Sequence, residues 1–188
     1  MKADEKLPVF KVSLGIGSPN LVRYTTFFNV YKGQPGYETK SLGPFHLKLE
    51  YRLKWWLGLG INVNYMSYGL SYIDRAFDPN VGAVDNKVRI RNTNTAVNLR
   101  SNFYFFNPEK RTTKSELYLG AGLGYKFGKF KVTSEYEEYT PKVTFNDLYK
   151  FGFEATCGYR YNFSKHLAVY SEIGVAKSIF QLGLTGRF

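Results

Sequence analysis

Apolar and polar side chains alternate along most of this chain with a period of two, the spacing at which a β-strand turns successive residues to opposite faces. The clearest run sets Tyr149, Phe151, Phe153, Ala155, Cys157, Tyr159, Tyr161 and Phe163 against Lys150, Gly152, Glu154, Thr156, Gly158, Arg160 and Asn162. Similar runs occupy residues 10–16, 45–53, 57–65, 97–103, 117–125, 167–175 and 180–184, which predicts eight strands. The last run alternates up to Phe188, so the final strand needs a partner. An unpaired edge is a hazard in water and not viable in lipid, and pairing the last strand with the first removes it. The pattern therefore predicts an all-β fold: one domain over residues 1–188, an eight-stranded antiparallel up-and-down barrel. Strands of about ten residues in even number suit the smallest transmembrane barrels. A helical span is excluded, because no run of 18 apolar residues exists.

Gln181, Gly183 and the terminal Phe188 resemble the C-terminal assembly signal of bacterial outer-membrane β-barrels, with Gly186 standing where a large apolar residue is usual. Over nearly its whole length the chain resembles the family of small eight-stranded outer-membrane barrels, and its Tyr- and Phe-rich strands look like members from the Bacteroidetes. The resemblance implies a bacterial outer-membrane location, both termini in the periplasm, and the long connection 18–43 outside. It also implies contact with outer-membrane lipid, with lipopolysaccharide and with the barrel-assembly machinery. Residues 1–8, MKADEKLP, lack the apolar core of a signal peptide, so the chain is expected to be a form from which one has been removed. Members of the family include adhesins, lipid A enzymes, narrow pores and accessory subunits of larger assemblies, so the resemblance implies a location rather than an activity.

Composition refines this picture. Aromatic residues make up 18% of the chain, which suits girdles at two membrane interfaces. The mean hydropathy of −0.32 is compatible with insertion, because alternation halves the apolar content of every strand. A formal charge of +11 raises the question of nucleic acid, but the cations are scattered rather than gathered on one face, so no nucleic-acid partner is expected. Lys48, Arg52, Arg100, Arg160 and Arg187 fall on the inward parity, with Glu50, Glu154 and Glu172 as acids. A barrel of this size has an interior just filled by side chains, so these ions are expected to pair as a lumen charge network, with Glu154 or Glu172 serving Arg160. A narrow pore lined by the same arginines is the competing reading. Lys87, Arg89, Arg91, Lys129 and Lys131 are read as solvated strand extensions ahead of ligands for lipid phosphates.

Few residues suggest catalysis. His46, with Ser41 nearby and Glu38 or Glu154 as an orienting acid, is the candidate for a lipid A-modifying enzyme. The two His and the lone Cys157 are too separated for a metal site, and none is expected. Residues 120–124, GAGLG, resemble part of a dinucleotide fingerprint but alternate as a strand, so no cofactor is expected and the glycines are read as relieving crowding. A soluble lipocalin-like carrier requires the apolar parity inside, where the aromatic faces are too bulky for a ligand cavity.

The connection 18–43 holds Tyr24, Phe27, Phe28 and Tyr31, more apolar groups than a solvated loop needs. These four are expected to dock on a partner, another outer-membrane protein, rather than to cap the barrel. The function expected is a non-enzymatic membrane barrel that presents loops to a partner protein or to lipid.

Overall fold

The computed structural model describes residues 10–20, 30–78, 82–105, 114–136 and 150–188, with the side chains of 76–78 left aside. Eight strands run in chain order: β1 (Phe10–Ser18), β2 (Glu38–Lys54), β3 (Leu57–Asp78), β4 (Gly82–Tyr104), β5 (Ser115–Ser134), β6 (Phe151–Asn162), β7 (Leu167–Val175) and β8 (Phe180–Arg187). Each pairs antiparallel with its sequence neighbours, and β1 pairs with β8 to close the ring, in register from Lys11↔Arg187 to Ser18↔Phe180. Closure satisfies the backbone of both terminal strands, and the Phe10 and Phe188 main chains exchange hydrogen bonds of 3.2 and 2.9 Å.

Around the ring the outward parity is apolar and exposed. Leu99, Leu123 and Phe151 are 73, 72 and 81% exposed, and they belong to a belt that continues through Leu14, Leu59 and Leu182. The inward parity of the same segments is polar and buried, and includes Lys48, Glu50, Asn62, Arg100, Glu154, Arg160 and Glu172.

The strands differ from the expected ten residues on one side of the barrel. β3 and β4 have 22 and 23 residues, and Asp85 and Asn86, which fall between the runs 57–65 and 97–103, lie within β4. Glu38–Leu42, expected in the connection after β1, pair with β3 from Glu38↔Ser71 to Leu42↔Ser67. The cause is a reversal of polarity along unbroken strands. Beyond Tyr65 of β3, Met66, Tyr68, Leu70 and Tyr72 point inward and are buried, while Ser67, Gly69 and Ser71 lie on the other face. On β4, Val88 and Ile90 are buried and Lys87, Arg89 and Arg91 are exposed; on β5, Phe130 and Val132 turn in and Lys129, Lys131 and Thr133 turn out. The period of two persists while the apolar face changes sides, so alternation of the belt's polarity alone does not extend into these segments. β2 joins this wall through a register shift between Leu42 and Phe45.

The two ends of the barrel therefore differ. One end has tight turns, Trp55–Trp56 between β2 and β3 and residues 163–166 between β6 and β7, together with Phe10 and Phe188. At the other end β2 to β5 rise as a four-stranded wall well past the ends of β1, β6, β7 and β8.

Candidate functional site

Inside the belt, ten charged side chains are buried among the described residues: Lys11, Lys48, Arg52, Arg100, Arg160 and Arg187 against Glu50, Glu116, Glu154 and Glu172. They form two linked clusters. In the one nearer the termini, Glu116 Oε2 accepts from Lys11 Nζ at 2.8 Å, Arg160 Nη1 at 2.8 Å and Arg52 Nη2 at 3.4 Å, and Arg187 Nη2 lies 3.9 Å from its other oxygen. Glu50 accepts from Arg160 at 3.4 Å, from Asn102 Nδ2 at 2.8 Å and from the Tyr104 hydroxyl. In the second cluster Arg100 donates to Glu154 at 3.2 Å and to Glu172 and Thr156 at 3.0 Å, and Lys48 Nζ lies 2.8 Å from Glu172. Asn102 joins the two, since its Oδ1 accepts from Arg100 Nε at 2.8 Å while its amide donates to Glu50.

Six cations meet four carboxylates, and aromatic faces take part of the surplus. Arg52 lies 3.7 Å from the Tyr104 ring centroid, Lys48 4.5 Å from Tyr170 and Arg160 5.0 Å from Tyr118. Glycines make room for these groups: a Cβ on Gly120 would meet Arg100 and Thr156, and one on Gly158 would enter the Tyr118 ring. The Gly120–Gly124 run thus sits in β5 against the lumen, with no helix after it.

The expected partner of Arg160 is corrected. Glu116 lies directly across from it in the β5–β6 register, whereas Glu154 is six residues away along β6, about 20 Å, and Glu172 pairs with Lys48 and Arg100. Lys11 and Glu116, absent from the expected network, are members of it. Glu116 shares the parity of Tyr118, a signal that was readable had the fifth strand been started two residues earlier.

His46 does not gather the partners expected of it. It is 1% exposed, its Nδ1 bonds Asn64 Oδ1, and its Nε2 lies 3.4 Å from the Ser178 hydroxyl. Ser178 is fully buried, Glu154 is held by Arg100, Asn62 and Asn98, and Ser41 and Glu38 lie beyond the register shift in β2. Among the described residues His46 contacts no carboxylate, and the hydroxyl it does face is sealed from any substrate.

Of the four loop aromatics, Tyr24, Phe27 and Phe28 lie outside the described residues. Tyr31 is turned inward, a correction to the docking surface expected of it. Its ring stacks on Tyr72 with centroids 4.9 Å apart, and with Tyr37 it packs on the cluster of Tyr68, Leu70, Tyr72, Val88 and Ile90. The apolar inner face of the wall is what draws it in, and Ile73 N donates to Pro35 O at 2.8 Å alongside. Burial first, then the neighbouring Tyr31 and Asp74, pushes the Tyr72 hydroxyl up to about 12, so this cap stays uncharged at neutral pH.

Gln181 faces the lumen, where its Oε1 accepts from Lys48 at 2.7 Å, and Phe188 lies outside, 70% exposed. Gly183 packs against Gly15 and Tyr170, where a side chain would collide with both.

No family profile matches the sequence, and no curated protein sequence does. Three solved structures of outer-membrane barrels are similar over nearly the whole chain. OprG from Pseudomonas aeruginosa is 11% identical, covers 97% of each chain and has a TM-score of 0.46. The N-terminal barrel domain of OprF from the same organism is 12% identical over 95% of this chain and 97% of that one, with a TM-score of 0.37. Ail, the attachment invasion locus protein of Yersinia pestis, is 10% identical over 97% of this chain and all 100% of that one, with a TM-score of 0.31.

Proposed function

We propose that the chain is a non-enzymatic integral outer-membrane barrel, its apolar belt in lipid and its wall of β2 to β5 outside, presented to a partner protein or to lipid. One observation carries the reading: the polarity of β3 and β5 reverses at a common level, between the row of Tyr65 and Phe127 and the row of Ser67 and Lys129, and β4 follows past Asn92, at Arg91 and Ile90. Below it exposed leucines and phenylalanines surround buried charge, the order required in hydrocarbon; above it exposed lysines and arginines surround buried tyrosine, leucine and isoleucine, the order required in water. A chain built for one solvent has no use for the change.

The packed lumen argues against a pore, and the sealed His46 argues against a lipid A-modifying enzyme. Tyr24, Phe27 and Phe28 remain the residues we assign to a neighbouring outer-membrane protein, with the chain as an accessory subunit of a larger assembly. Gln181, Gly183 and Phe188 are what the barrel-assembly machinery would read. The Tyr- and Phe-rich strands support a Bacteroidetes-like source.

The test is the behaviour of the purified chain. It should require detergent and migrate on a gel at two positions, one for the folded form before boiling and one for the unfolded form after, because a closed membrane barrel resists detergent unfolding. A chain that stays monomeric without detergent would overturn the reading.

A further inference from the structure

The outward face of the wall carries Lys40, Lys87, Arg89, Arg91, Lys129 and Lys131, all exposed, and among the described residues none of them forms an ion pair. Glu38 and Glu135 are acids beside them, with Asp85, 3.6 Å from Arg75, beyond Lys87 on the same face of β4. The cations are arranged in rows. Lys40, Gly69, Arg91 and Lys131 stand side by side across four strands, and Glu38, Ser71, Arg89 and Thr133 form the next row. Between them lies a groove of about 450 Å³ with Gly69 and Ser71 in its floor and Lys40, Lys87, Arg89, Arg91 and Lys131 on its sides. Gly69 leaves a gap in which an added Cβ would meet nothing nearer than 3.5 Å. With strands about 4.8 Å apart, Lys40 and Arg91 flank that gap at about 10 Å, wide enough for a tetrahedral anion to rest on the sheet between an ammonium and a guanidinium fork.

Its height selects the source of the anion. The row Tyr65, Thr95 and Phe127 contains the last outward aromatic groups, and the next row, Ser67, Thr93 and Lys129, brings the first cation. Two residues along a tilted strand rise about 5 Å, so the Lys129 row stands at the depth of the headgroup layer and the groove's two rows stand about 10 and 15 Å above the aromatic row, from which the long side chains of Arg91, Lys131 and Lys40 can extend down to that layer. We propose that this groove binds the phosphate groups of a phosphorylated outer-leaflet lipid lying against β2 to β5, with Arg89, Arg91, Lys131 and Lys40 as its ligands. The proposal rests on the membrane reading above.

The whole chain, folded in detergent and first shown to have a heat-modifiable form, is titrated with bisphosphorylated lipid A and with its dephosphorylated form, and bound lipid is counted by native mass spectrometry. The phosphorylated lipid should bind more tightly. The triple variant Arg89→Gln, Arg91→Gln, Lys131→Gln should lose roughly eightfold in that affinity, about twofold for each exposed charge contact, and Gly69→Trp should lose as much by filling the floor with every charge retained. Lys54→Gln with Lys114→Gln, at the opposite end, should bind as the unaltered chain does. Equal binding of the two lipids, or unaltered binding by the triple variant, overturns the proposal. So does inorganic pyrophosphate that binds as tightly as the lipid and displaces it, which would make the ligand a free phosphate. If the variants do not fold, the comparison of the two lipids on the unaltered chain decides. A chain with no heat-modifiable form overturns the membrane reading, and this proposal with it.

Discussion

Loss of Arg100 matters most of all the lumen cations, because among the described residues it makes the one ion pair of Glu154, whose other hydrogen-bond partners are the neutral amides of Asn62 and Asn98. Arg160 is better insured. Its partner Glu116 keeps Lys11 at 2.8 Å and Arg52 at 3.4 Å when the guanidinium is removed, and Glu50 keeps Asn102 and Tyr104. Removing one partner of a buried pair costs about 3–5 kcal/mol when it leaves the other charge stranded. Arg100→Met should therefore lower the temperature at which the heat-modifiable form is lost much more than Arg160→Met does, and Glu154→Gln added to Arg100→Met should recover most of the difference. Equal effects from the two arginine variants would mean that the lumen charges behave as a diffuse field rather than as discrete pairs. The parity of Arg100, Arg160, Glu50 and Glu172 was legible from sequence because one alternation places each of them. Their pairing was not, since it depends on the stagger between strands, and that stagger is what puts Glu116 of β5 across from Arg160 of β6.

At the scale of elements, the eight strands and their order were readable from period-two alternation, and closure of β1 on β8 from the alternation that reaches Phe188. The lengths of β3 and β4 were not, because the reading assumed that one parity stays apolar throughout a strand. Val88, Ile90 and Tyr72 alternate as strictly as Leu59 and Ile61 do, on the opposite face. The same assumption made Tyr31 look like a loop aromatic without cover, when the surface that covers it is the inner face of β3 and β4. If that surface holds residues 30–37 in place, Tyr72→Ala should release them. The stacked ring and its buried area are worth about 3 kcal/mol or more, and the loss falls on a segment joined to the wall by few bonds, so local opening rather than barrel unfolding is the expected result. Limited proteolysis should cut the variant faster after Lys32 than the unaltered chain, with heat-modifiable migration unchanged. Protection of Lys32 in the variant would show that the segment is held by something other than this stack.

The whole molecule is asymmetric along its axis, with the Trp55–Trp56 and 163–166 turns and Phe10 and Phe188 at one end, and the charged wall, beside the tight 176–179 turn between β7 and β8, at the other. In outer-membrane barrels short turns face the periplasm and long connections face outward, because the external end is the one free to elaborate structure in water. On the membrane reading proposed above, the outward-facing cations of β4 and β5 add a physical reason for one fixed orientation: Lys87, Arg89, Arg91, Lys129 and Lys131 would have to stay beyond the hydrocarbon, and dragging such charges through its centre costs about 2–4 kcal/mol for each residue. The orientation can be read with single cysteines, since the chain has one, Cys157, exposed on the belt. In a Cys157→Ser background, Thr133→Cys places a thiol on the exposed face of the wall and Ser164→Cys places one in the tight turn between β6 and β7. A membrane-impermeant maleimide applied to intact cells should label the first and reach the second only after lysis. Labelling of the turn in intact cells with the wall protected would invert the assignment of both ends, and would move the cationic groove from the outer surface to the periplasmic one.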